Sequence, residues 1–115
     1  MIARNDSLHT ELREQMRGGK GTVKLEHWFK PEAFGAKTRL CARMTIAPGA
    51  SIGSHTHEGE DEIYLVLSGS GIIQEKGEWV PIHAGDAILT GKGDSHGVEN
   101  TGTEPLVIAA VIITY

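Results

Sequence analysis

The chain has 115 residues, 39% of them hydrophobic and 23% charged, which fits one compact domain over residues 1–115. No run approaches the roughly 18 to 20 apolar residues of a membrane helix, and Met1 to Asp6 lacks a signal peptide's apolar stretch, so a cytoplasmic protein without a membrane partner is expected. The single Cys41 excludes a disulfide framework and a thiolate metal cage, and a net charge of −4 without a basic block argues against a nucleic-acid partner.

Residues 1–16 carry Leu8, Leu12 and Met16 at a spacing of four, with Asp6 or Ser7 as N-cap, and predict a short N-terminal helix or arm. The cluster Arg17-Gly-Gly-Lys-Gly21 ends that arm, because glycine accepts the conformations a chain reversal needs. A phosphate-cradling reading fails there: the Ser/Thr, the spacing and a preceding apolar strand are absent. From residue 22 the period changes to two. Val23, Leu25, His27 and Phe29 alternate with Thr22, Lys24, Glu26 and Trp28, and Leu40, Ala42, Met44 and Ile46 alternate with Cys41, Arg43 and Thr45.

Ile63, Leu65 and Leu67 then alternate with Glu62, Tyr64 and Val66, and Ser68-Gly-Ser-Gly71 offers a hairpin turn into Ile72 and Ile73. Further turns at Lys76–Glu78, His83–Asp86 and Gly91–Gly93 separate apolar segments at Trp79–Ile82, Ala87–Thr90, Ser95–Glu99 and Leu106–Ile113. Fifteen glycines and strands at such short intervals predict an all-β barrel or double-sheet jelly roll over residues 22–115, preceded by the arm 1–21. Residues 1–30 hold six basic and four acidic side chains, whereas the remainder holds five and eleven. That imbalance is either two ordinary solvated surfaces or an arm that covers an acidic sheet edge.

Chemistry concentrates in the histidines. His55 and His57 are separated by one residue, so on an extended strand both imidazoles project from one face and can chelate. Glu62 opens the next alternating run, and His96 follows far along the chain. Three imidazoles and a carboxylate converging inside a barrel are the donor set of Mn, Fe, Co, Ni, Cu or Zn. An octahedral ion would keep two positions open for water or substrate. Asp61 is the rival of Glu62, but Glu62 shares its face with Tyr64 and Val66, while Asp61 falls with Ile63 and Leu65.

The remaining histidines read as bland: His9 exposed on the arm, His83 in a turn, His27 packed on the apolar face of its strand. Asn100 and Gly85 read as turn or supporting residues. Glu58, Glu60 and Asp61 read as a solvated loop at the mouth, where one carboxylate is a general-base candidate. If Leu40, Ala42, Met44 and Ile46 pack outward, Arg43 points inward beside the metal. Arg43 and Tyr64 are therefore the candidates for orienting an anionic ligand.

Gly49-Ala-Ser-Ile-Gly-Ser-His55-Thr-His57-Glu-Gly-Glu-Asp-Glu62, followed by six residues to Gly69, resembles the first signature motif of the cupin superfamily. Gly85, five residues, Gly91-Lys-Gly93-Asp-Ser-His96 and three residues to Asn100 resemble the second. The family has proline where this chain has Gly91, and losing proline's fixed φ loosens that bend without deleting a ligand. The resemblance implies a double-stranded β-helix (jelly-roll) barrel with metal ligands His55, His57, Glu62 and His96, usually dimeric. The Arg17–Gly21 arm, the acidic Glu58–Glu62 run and the Ile-Ile ending are similar to those of small bacterial single-barrel cupins, some of them oxalate-decarboxylase-like. Two-barrel oxalate decarboxylases carry a glutamate-bearing lid, for which this chain has no evident counterpart.

The expectation is a homodimeric monocupin with a divalent transition metal, manganese first and Fe, Ni, Zn, Co or Cu as alternatives. Its ligand is a small anionic molecule, a carboxylate or sugar derivative, and decarboxylation, oxygenation and isomerisation all fit an open site. The competing expectation is a binding module without turnover. No helix-turn-helix accompanies the barrel, which argues against a transcription factor of the same fold.

Overall fold

Alternation of period two is realised as ten antiparallel strands: β1 (His9–Glu14), β2 (Thr22–His27), β3 (Thr38–Ile46), β4 (Ser51–Thr56), β5 (Glu60–Ser68), β6 (Ser70–Glu75), β7 (Glu78–His83), β8 (Ala87–Gly91), β9 (Ser95–Glu99) and β10 (Leu106–Thr114). The computed structural model describes residues 1–115, arranged as a six-stranded sheet β1-β2-β3-β10-β5-β8 packed on a four-stranded sheet β4-β9-β6-β7. This is a jelly roll whose inner faces form one core.

Register explains what the inside holds. Val23, Leu25, Ala42, Met44, Ile46, Leu106, Ile108 and Ala110 are all at most 1% exposed, because paired strands place like parities on one face. In the row His27–Ala42–Ala110–Tyr64 the two middle positions are alanines, flanked by the rings of His27 and Tyr64. The next row, Leu40–Ile112–Glu62–Thr90, delivers Glu62 to the same end of the barrel.

Two sequence expectations are corrected here. The helical spacing of residues 1–16 survives only as single 3-10 turns at Asn5–Ser7 and Met16–Gly18. Between them β1 pairs with β2, from His9 opposite His27 to Glu14 opposite Thr22, so Leu12 is an edge-strand residue exposed to solvent. A ladder of backbone hydrogen bonds outweighs so short a helical pattern. Ser68–Gly71 is not a hairpin either, since β5 pairs with β8 and β10 while β6 pairs with β7 and β9. The chain crosses there from one sheet to the other. A Cβ at Gly71 would lie 2.4 Å from the Glu99 carbonyl oxygen, so only glycine permits the crossing. The true hairpin is β6–β7, closed by Lys76 and Gly77 with φ of 50° and 82°, the left-handed pair that matches strand twist.

Candidate metal centre

A bulge in β4 aims His55. Pairing with β9 shifts register between Ile52 and His55, so Ile52 and His55 both face inward despite their odd separation. His55 then lies directly opposite His96. His57, one residue past the strand, is pinned by its backbone N–H to the Asp94 carbonyl and by its own carbonyl accepting from Gly93 N–H, both at 2.9 Å. His57, Glu62 and His96 are buried, and His55 is half-buried at the cavity wall.

The four donor atoms lie within 4.8 Å of one another. His57 Nε2 is 3.0 Å from His96 Nε2, His96 Nε2 is 3.1 Å from His55 Nε2, and Glu62 Oε1 is 3.0 Å from the Nε2 atoms of both His57 and His96. Bonds of about 2.1 Å at right angles place neighbouring donors about 3.0 Å apart, whereas a tetrahedron would place every pair about 3.4 Å apart. Four short separations, with no pair of donors more than 4.8 Å apart, fit an octahedral fragment better than a tetrahedron.

Tautomers strengthen that fit. His55 Nδ1 donates to the Gly53 carbonyl at 2.7 Å and His57 Nδ1 meets Glu60 Oε1 at 2.7 Å, which leaves the Nε2 lone pairs facing the common centre. Glu62 Oε1 is buried with no hydrogen-bond donor. The Nε2 lone pairs of His55 and His57 and the anionic Glu62 oxygen repel one another across this small space, and a divalent cation relieves that repulsion. Burial lowers the His55 pKa to about 4, with His96 and His57 adding to the effect, so the ring is neutral and available as a ligand at neutral pH.

Around the donors a cavity of about 130 Å³ opens to solvent, lined by Tyr64, Met44, Leu40, His27 and the guanidinium-bearing Arg13, Arg17 and Arg39. Tyr64 is 2% exposed and stacks on His96 with ring centroids 4.8 Å apart. Burial and the neighbouring Glu62 carboxylate push its hydroxyl well above the usual range, so it stays a proton-bearing donor. Arg39 clasps Glu60 through Nε at 2.9 Å and Nη2 at 2.8 Å, and Glu60 in turn holds His57. The Arg39 contact, aided by His57, holds the Glu60 carboxyl down at about 2, which makes it a fixed acceptor and a poor base.

Arg43 is placed otherwise than its strand parity first suggested. Ala42, Met44 and Ile46 form the core, so Arg43 faces outward, where its Nε donates to Glu26 at 3.1 Å and its guanidinium lies 5.8 Å from the Trp28 ring. The cavity's cations come instead from positions the alternation pattern did not single out. Arg39 lies near the start of β3, Arg13 belongs to the segment whose spacing suggests a helix, and Arg17 opens the glycine cluster that ends it. The Arg17 glycine cluster was the one local signal. His27, read as packing, lines the cavity and pairs with Glu11. His9 is exposed as expected, though on β1, and His83 lies exposed at the end of β7. Asn100 is fully buried and donates to the Ile46 and Glu104 carbonyls, each at 2.8 Å, which is a supporting role. At Gly91 a Cβ would lie 2.0 Å from Asp61 Oδ1, so the Asp61 carboxylate occupies the space a proline ring would need.

Comparison with known proteins agrees with this architecture. The Cupin_2 family of cupin domains matches residues 42–113. The chain is 48% identical over 113 residues to a Thermotoga maritima protein named "Oxalate-binding protein", a match covering 98% of this chain and 93% of that one. Among solved structures, a predicted oxalate decarboxylase from T. maritima superposes with a TM-score of 0.96 at 47% identity, covering all of both chains. A polyketide cyclase from Streptomyces resistomycificus gives a TM-score of 0.75 over 96% of this chain and 76% of that one, and at 18% identity it shows the fold alone. With more than half of its residues inside the matched segment and a relative of nearly equal length, the chain belongs to the cupin family.

Proposed function

We propose that the protein, acting as a single domain over residues 1–115, binds a small dicarboxylate of oxalate's size at a divalent metal held by His55, His57, Glu62 and His96. The observation that carries this reading is the junction of an acceptor-only donor cluster with a cation-lined cavity. A divalent ion with one carboxylate ligand keeps a formal +1 charge, and Arg13, Arg17 and Arg39 add positive potential at the mouth. Size supports one of the two ligand classes expected from sequence. A cavity of about 130 Å³ falls well below the roughly 300 Å³ that larger organic ligands occupy, which favours a small carboxylate over a sugar derivative.

The bound ion, with manganese as the first candidate and Fe, Ni, Zn, Co or Cu as alternatives, supplies Lewis acidity to a coordinated carboxylate oxygen. Tyr64 donates a hydrogen bond from a hydroxyl that stays protonated, and Met44 and Leu40 exclude water from the cavity wall. Cleavage of a carbon–carbon bond in such a ligand is the enzymatic form of this proposal. A binding module without turnover is the second reading, favoured by one observation: Glu60 and Glu11 are both engaged in ion pairs and held low, so neither is poised as a base. Incubating metal-loaded protein with oxalate and following carbon dioxide and formate separates the two. Product release supports turnover, whereas saturable binding without product supports the module. Absence of any binding defeats both.

A homodimer is part of the proposal. Leu65, Leu67 and Leu89, between 45% and 66% exposed, stand on the outer face of the six-stranded sheet, where a second copy would cover them. Sedimentation of Leu65→Asp as a monomer, with the native chain as a dimer, supports this; a monomeric native chain refutes it. A cytoplasmic address accords with the unpaired Cys41 thiol.

A further inference from the structure

We propose that Arg17 is the residue that selects a second carboxylate, so that the ligand spans from the metal to this guanidinium; the inference rests on the metal-bound carboxylate reading above. Of the three arginines lining the cavity, Arg39 is committed to Glu60 and Arg13 lies 3.4 Å from Glu11. Arg17 has neither an ion-pair partner nor a side-chain hydrogen bond within the chain. Its side chain lines the same cavity as the donors His55, His57 and Glu62.

The backbone shows that this placement is built. Gln15 and Arg17 both adopt the left-handed region, with φ of 50° and 54°, a conformation that costs a side-chain-bearing residue energy. Glycine contacts hold the turn there. A Cβ at Gly53 would lie 2.0 Å from the Arg17 carbonyl oxygen, and a Cβ at Gly19 would lie 2.2 Å from the Ser51 carbonyl oxygen. The Lys20 carbonyl accepts from Ser51 N–H at 2.8 Å, and Lys20 N–H donates to Ser51 Oγ at 2.9 Å, so the turn is tied to the strand that carries His55. Glycine at position 17 would satisfy this backbone at lower cost, yet an arginine stands there, at the mouth of the cavity and unpaired. A guanidinium presents two parallel N–H donors to a carboxylate, which a mono-acid already bound to the metal does not offer.

The test uses manganese-loaded protein and two probes, oxalate and acetate, titrated calorimetrically into the native chain and into Arg17→Gly and Arg17→Lys. Arg17→Gly is expected to weaken oxalate roughly tenfold to a hundredfold, leave acetate within about twofold, leave manganese affinity unchanged and not lower Tm. Arg17→Lys should recover part of the oxalate affinity. A merely structural role for Arg17 would instead move Tm or both probes together. Unchanged oxalate binding in Arg17→Gly, or equal losses for both probes, overturns the assignment while the carboxylate-binding reading stands. If the native, metal-loaded chain binds neither probe, that reading falls and Arg17's role with it.

Discussion

The cavity has a floor and a rim built in different ways. The floor comes from β4, β5 and β9, central to their sheets or locked by a bulge; its donors are buried or half-buried, and two of its three imidazoles are fixed through Nδ1, His55 by Gly53 and His57 by Glu60. The rim comes from the edge strand β1 and the left-handed turn after it, where Arg13 and Arg17 are exposed. A rigid floor suits a cation, whose donors must hold their places to within a few tenths of an ångström, and an open rim suits a ligand that must enter and leave. Metal affinity should therefore depend on the floor alone, and ligand discrimination on the rim.

The sharpest way to break this division is to remove a floor donor. His57→Ala should weaken manganese binding by more than about a hundredfold and abolish the metal-dependent rise in Tm, measured by titration and thermal unfolding. A smaller effect is expected one contact further out. Glu60→Gln keeps the shape but loses the charge that fixes His57, and should cost about tenfold to a hundredfold in metal affinity. Retention of full affinity in that variant would show that Glu60 serves Arg39 only.

Acidity probes the floor more gently. The folded His55 value of about 4 lies below its usual 6.5, so a proton competes with the metal at this ring only as pH approaches 4. This ring's own contribution is read in metal-free protein by denaturant unfolding between pH 7 and 4, and a stability independent of pH there would contradict the burial argument. In metal-free protein the unfolded chain takes up a proton at His55 while the folded one does not, so stability should decline as pH falls from 6.5 towards 4. The smallest effect belongs to Arg43→Ala. On the outer face, paired with Glu26, it should change stability by less than about 1 kcal/mol and leave both metal and oxalate affinity untouched.

Much of the floor was legible in sequence because its signals are local. His55 and His57 share a short segment, and the parity that joins Glu62 to Tyr64 and Val66 proved to be the inner one, with all three buried. Apolarity alone would have misled there, since Leu65 and Leu67 face outward. The same reasoning applied to β3 turned Arg43 the wrong way, because alternation gives two faces without saying which is inner. Only the register of β3 against β10 and β2 decides it, and that depends on residues more than 60 positions apart, such as Met44 and Ile108. The rim was less legible still. Leu8, Leu12 and Met16 mimic a helix, while β1 exists only through its ladder to β2. Arg39 and Arg13 reach the cavity by tertiary placement for which no short motif stands.

Anomalous X-ray scattering from crystals grown with manganese would test the metal centre directly. One peak per chain is predicted, within about 2.3 Å of His55 Nε2, His57 Nε2, His96 Nε2 and Glu62 Oε1. An absent peak, or one bonded to other residues, would contradict the account.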